Sequence, residues 1–143
     1  MPGEAALRTA GLTIECLRRA APDSADAWDR DWIEAIARVE APGAVVELHG
    51  PWLRGVELAA FAEAVAVLHH DLRGSAHPDC LEPGLDVTLQ AGTLGQVTMH
   101  VAITPDHLTQ SHSFTFALDQ SDLPALLASL RAMVRHFPPV SPR

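Results

Sequence analysis

The sequence predicts an α+β fold: two βββα units forming a mainly antiparallel six-stranded sheet, with two helices packed on one face. Three observations carry that expectation. A pattern of three strands followed by a helix occurs twice, about 65 residues apart. Each copy ends in an amphipathic stripe at the three-and-four spacing of a helix, Leu58, Phe61, Ala62, Val65, Leu68 and Leu72 in the first and Leu123, Leu126, Leu127, Leu130, Val134 and Phe137 in the second. Short turn-forming segments separate the strands, so neighbours return antiparallel.

Taken in order, Leu12, Ile14 and Cys16 alternate with Thr13 and Glu15, the period of a half-buried strand over 11–18. A second strand over 31–41 puts Ile33, Ala35, Ala37 and Val39 on one face. Pro42-Gly43 supplies a preset φ and a residue tolerant of positive φ, so 44–49 returns as the third strand. Gly50 to Leu53 then leads into a helix over 56–72, with Trp52 stapled on Leu58 or Phe61 and Gly74 as the left-handed cap. In the second copy Leu85, Val87 and Leu89 alternate with polar residues, the turn Gly92 to Gly95 leads into Val97, Met99, Val101 and Ile103, and Phe114, Phe116 and Leu118 form the sixth strand. Ser121 is the expected N-cap of the last helix, and Pro124 is tolerated in its first turn, where a missing N–H has no intrahelical partner.

Composition bounds the function. The chain of 143 residues suits one domain, 1–143, with an ordered core over about 11–137. At that length, roughly 68–70% of the unfolded surface can be buried without disulfide or metal. Cys16 in a strand and Cys80 in a loop read as a buried thiol and a free one, a disulfide between them being the alternative. No apolar run of signal-peptide length opens the sequence and nowhere do 18 apolar residues run together, so a cytosolic protein is expected. The net charge of −8, with every cation an Arg, argues against nucleic acid and anionic membranes and for a basic partner.

No catalytic set, metal site or cofactor site emerges from the residues. His49, His69, His70, His77, His100, His107, His112 and His136 invite a metal reading, but His100 and His112 fall on opposite faces of neighbouring strands, and neighbours such as His69 and His70 diverge by about 100° on a helix. Ser113 and Ser121 lack the elbow of a nucleophilic serine, and Gly92 to Gly95 is too short for a phosphate loop. His77, Asp79 and Cys80 place an imidazole, a carboxylate and a thiol in one loop, the most enzyme-like cluster and the basis of an alternative reading as a small hydrolase. The most suggestive surface element is the run Asp23, Asp26, Trp28, Asp29, Asp31 and Trp32. Carboxylates around an indole suit an Arg- or Lys-rich partner, charge raising the association rate and the ring supplying contact area. A solvated loop with Trp32 half-buried is the alternative.

Several phrases resemble the WapI-type family of small bacterial immunity proteins. They are Asp31-Trp32 opening a long strand, the Phe61-to-Leu68 helix closing on Gly74-Ser75-Ala76, the Leu85–Gly95–Val97 hairpin, and Phe114-x-Phe116 followed by Asp119-Gln120-Ser121-x-Leu123. The resemblance spans nearly the whole chain. It implies a non-catalytic protein that binds and neutralises a cognate toxin domain in the cytosol; an acidic chaperone or adaptor for a secreted effector is the alternative. It assigns no contact residues, which leaves Asp23, Asp26, Trp28, Asp29 and Asp31 as the expected partner-binding set.

Overall fold

The computed structural model describes residues 5–76 and 84–141. In chain order the elements are β1 (Ala6–Thr9), β2 (Leu12–Arg19), α1 (Ala27–Arg30), β3 (Trp32–Ala41), β4 (Ala44–Arg54), α2 (Gly55–Asp71), β5 (Ser75–Ala76), β6 (Leu85–Ala91), β7 (Gln96–Ile103), β8 (Ser113–Asp119) and α3 (Leu123–His136). The α+β class is as expected, but the strands do not form one six-stranded sheet. They make two antiparallel four-stranded sheets, ordered β1-β2-β3-β4 and β5-β6-β7-β8. Each triplet of strands has gained a short strand at its open side: β1 pairs with β2, and β5 with β6. Those two edges are therefore occupied, and the triplets cannot join through them.

The repeat unit is thus ββββα, and its two copies meet by equivalent contacts. Gly11, just before β2, accepts the N–H of Glu40 at 2.9 Å on its carbonyl, and Gly84, just before β6, accepts that of Thr104 at 2.8 Å. Each glycine also receives a side chain from the other sheet. A β-carbon on Gly11 would lie 2.8 Å from the Phe116 ring of β8, and one on Gly84 would lie 2.7 Å from Leu48 of β4. The helices are exchanged in the same sense, since α3 packs on β1, α2 packs on β5, and the two helices pack on each other.

Burial follows the predicted periods. Alternate residues of β2 and β3 are buried, as are those of β6 and β7, so each sheet has one face in the core. Leu58, Phe61, Val65 and Leu68 of α2 join Leu123, Leu126, Leu127 and Leu130 of α3 in a single apolar cluster with both sheets. Trp52 lies inside β4, which runs through to Arg54, and is not part of a loop before the helix. Between Ile33 and Ala35 the β3–β4 register shifts, and there the buried indole N–H donates to the Ala35 carbonyl at 2.9 Å. Trp52 does face Leu58 and Phe61 across a small internal gap.

Two caps differ from expectation. Leu72, at φ 55, takes the left-handed position that ends α2, its N–H bonding the Leu68 carbonyl, while Gly74, at φ 84, lies two residues further on. Before α3 the cap is Asp119 and not Ser121. The Asp119 carboxylate reaches two residues ahead to the Ser121 N–H at 2.9 Å, and Asp122 reaches back to the Asp119 N–H at 2.9 Å, so a 3₁₀ turn over Gln120–Asp122 precedes the helix.

The glycine contacts generate the first prediction. A β-carbon on Gly11 would stand 2.2 Å from the Glu40 carbonyl oxygen, which is backbone and cannot turn aside, whereas Gly84 meets only the movable end of Leu48. Gly11→Ala should destabilise the protein by about 3 kcal/mol, and Gly84→Ala by about 1 kcal/mol. Urea midpoints at constant slope measure both; equal losses would mean that the Glu40 carbonyl does not close on Gly11 as described.

Candidate functional site

The acidic segment before β3 is ordered by its own side chains. Asp26, extended at φ −91 and ψ 123, caps the one-turn helix α1 by accepting the Trp28 N–H at 2.9 Å. The Ser24 hydroxyl accepts the Asp26 N–H at 3.2 Å and donates to Asp29 at 3.3 Å. Arg30, buried below the turn, donates to the Ser24 carbonyl at 2.8 Å. With the loop closed on itself, Asp23, Asp26 and Asp29 face solvent, and none of them pairs with an Arg among the described residues. On the same sheet Glu34 pairs with Arg18 at 2.5 Å and Glu47 with Arg38 at 3.0 Å.

Trp28 is 50% exposed, and its ring lies on the Arg54 guanidinium, 3.6 Å from centroid to Cζ. The Trp32 ring is also near that cation, at 5.8 Å. Arg54 occupies the residue before α2, where the positive end of the helix dipole disfavours a cation. That placement is the sequence signal that could have flagged it as held by an acid. The acid is Asp31, whose carboxylate lies 3.6 Å from Arg54 Nη2.

Asp31 is the one member of the expected partner-binding set that the fold withdraws from the surface: it is 2% exposed. One carboxylate oxygen accepts the Val140 N–H at 3.0 Å and lies 3.4 Å from Arg19 Nη1; the other accepts the Val56 N–H at 3.0 Å. Its backbone carbonyl accepts the Gly55 N–H at 3.0 Å and Arg19 Nη1 at 3.0 Å. Arg19 continues to the Pro138 carbonyl and stands 5.6 Å from the Phe137 ring centroid. A buried carboxylate must be compensated, and here the donors come from β2, the β4–α2 junction and the segment after α3. Gly55 makes room for it, because a β-carbon there would lie 2.6 Å from the Asp31 carboxylate. Asp31 therefore organises the site from beneath and is not available to meet a partner.

The other candidates are dispersed. His100 bonds Thr115 at 3.2 Å on the outer face of the second sheet, while His112 bonds Gln110 at 3.2 Å. No group of three or more His, Cys, Asp or Glu among the described residues is placed to hold a metal ion. His77, Asp79 and Cys80 lie outside the described residues. Cys16 is buried in β2, and desolvation pushes its thiol from 9.0 up to about 12, with Arg19 opposing the shift and Glu15 adding to it. A thiol so held is not a nucleophile at neutral pH.

Two measurements test this layout. Asp31→Ala should cost about 3–5 kcal/mol, because Arg19 and Arg54 would be left without their buried counter-charge, whereas Asp23→Ala should change stability by less than about 0.5 kcal/mol. Similar losses in urea unfolding would contradict the separation of a structural from an exposed carboxylate. For Cys16, the native chain holds the proton more tightly than the unfolded chain does. Stability is therefore full below pH 9 and falls from 9.0 toward 12, by about 1.4 kcal/mol per pH unit. The sequence contains neither Lys nor Tyr to titrate in that window. In a Cys80→Ala background the alkaline decline should persist, and Cys16→Ala should flatten it.

Residues 6–138 match the sequence family described as Immunity protein WapI-like. No curated protein matches the chain. The match covers all of the strands and helices, from the first residue of β1 to beyond the end of α3. The chain belongs to the immunity protein WapI-like family.

Proposed function

We propose that this protein neutralises a toxin domain by stoichiometric binding in the cytosol, without catalysis, and that the exposed segment Asp23, Asp26, Trp28 and Asp29 forms part of the contact surface for a basic partner. Membership of an immunity family over residues 6–138 is the observation that carries the reading. The surface supports it in two ways. Asp23, Asp26 and Asp29 are exposed and pair with no Arg among the described residues, in a chain of net charge −8, and Trp28 is half-exposed on a cation that is itself anchored to the core. An aromatic ring preorganised on a rigid element loses little entropy on binding. No described helix is long and apolar enough to cross a membrane.

The test is rescue and binding kinetics with a purified toxin domain of the class this family neutralises. Protection should saturate at a fixed stoichiometry; protection by a small fraction of the toxin concentration would favour the hydrolase reading built on His77, Asp79 and Cys80. Added salt should slow association much more than it alters dissociation, since exposed charges lose reach beyond a Debye length of about 8 Å at physiological ionic strength. Asp26→Asn together with Asp29→Asn should lower the association rate several-fold while leaving the α1 cap in place, because Asn also caps. Trp28→Ala should raise the dissociation rate by roughly tenfold or more and cost only about 1 kcal/mol of stability, the worth of its stack on Arg54. Rates that are flat in salt and indifferent to all three substitutions would put the interface elsewhere.

A further inference from the structure

Four strand edges bound the two sheets, and three of them carry features that discourage pairing. β1 has 4 residues and bears Arg8, and β5 has 2 among the described residues. β4 carries Glu47 at mid-length, and then Gly50, Pro51 and a register shift bend its end. β8 differs. Over its 7 residues, Ser113–Asp119, it has no proline and no bulge, and no charge before Asp119.

Its hydrogen-bonding phase is determined. The Ile103 N–H donates to the His112 carbonyl at 3.0 Å, and the register from Ala102↔Ser113 to Gln96↔Asp119 is unbroken. Phe114, Phe116 and Leu118 thus bond to β7, while Ser113, Thr115 and Ala117 turn their N–H and C=O groups away from the sheet. Asp119 obeys the same alternation: its outward N–H is taken by Asp122 at 2.9 Å. The three outward pairs before it bond no other described residue.

We infer that this edge is a homodimer interface, in which β8 of a second copy of the chain adds antiparallel to β8 and continues the sheet across both molecules. The strand is self-complementary. With Thr115 facing its own counterpart at the two-fold axis, Ser113 falls opposite Ala117 and Phe114 opposite Phe116, each twice, so two aromatic pairs form on one face and a threonine pair on the other. Phe114 and Phe116 are already aligned for this, their rings 6.4 Å apart at 20° and only partly buried. The same register holds the two Asp119 carboxylates roughly 27 Å apart, at opposite ends of the pairing, whereas a parallel register would set them side by side. A single strand pair is smaller than a standard interface, so the association is weak and reversible.

Sedimentation of the chain alone should show a reversible monomer–dimer equilibrium. Added salt should strengthen it, since two copies of net charge −8 repel; association with a basic partner responds in the opposite direction. Thr115→Lys sets like charges at the two-fold axis, and Thr115→Pro removes an outward N–H that β7 does not use. Each should weaken the dimer by about tenfold or more, with circular dichroism showing that the fold is retained. Amide exchange at Ser113, Thr115 and Ala117 should slow in step with the dimer fraction, while Phe114 and Phe116 stay protected at every concentration. A chain that is monomeric at all concentrations and salts, a dimer that survives both substitutions, or protection of those three amides only when a basic partner is added would overturn the inference.

Discussion

Burial of the Asp31 carboxylate is the constraint on which the surrounding structure depends. A charge taken out of water is tolerated only when its lone pairs are filled by donors, preferably charged ones. Here the donors are two backbone amides and two guanidinium groups contributed by segments far apart in the chain: Arg19 from β2, Arg54 and Val56 from the β4–α2 junction, and Val140 after α3. Satisfying one side chain therefore brings together the end of the first strand pair, the entry to the first helix and the exit from the last. Trp28 is carried on this arrangement at one remove, because the cation on which it rests is the same Arg54. Core and rim of the acidic surface are mechanically one object.

Around that hub the chain is a repeated ββββα unit whose two halves differ where they meet solvent. The equivalences are physical: two glycines that admit a side chain from the opposite sheet, two glycine carbonyls that accept an amide at the end of the neighbouring long strand, and two helices each lying on the other unit's short strand. What differs is the outside. The first unit inserts α1 with its carboxylates and paints its sheet with Arg–Glu pairs. The outer face of the second is small and almost uncharged, with His100 beside Thr115. The repeated scaffold thus offers two unlike surfaces on one core.

Much of the architecture was legible because it rests on periodicity. Of the stripes placed by spacing, Leu58, Phe61, Ala62, Val65 and Leu68, and Leu123, Leu126, Leu127 and Leu130, are buried, Val134 and Phe137 are partly buried, and Leu72, at the end of the first, is exposed. The hairpins at Pro42-Gly43 and Gly92 to Gly95 follow from local turn chemistry, and β3–β4 and β6–β7 pair across them. β1 and β5, with 4 and 2 residues, are too short to show a period, and α1 is a single turn made by its cap. Ser121 and Gly74 were reasonable caps by residue type, but Asp119 reached the free amide first and Leu72, at φ 55, took the left-handed position itself.

The sequence by itself determined which residues face inward along each strand and helix, that the fold is α+β with two like halves, and, through the phrases around Asp31, Phe61, Gly95 and Asp119, the family. Tertiary structure alone decided how the strands divide into two sheets, since edge pairing depends on backbone groups that no side-chain pattern encodes. It also decided the fate of the acidic run. Asp29 and Asp31 are the same residue type two positions apart, and only the arrival of Arg19, Arg54 and the segment after α3, each distant in sequence, makes one of them a buried hub and leaves the other to face solvent.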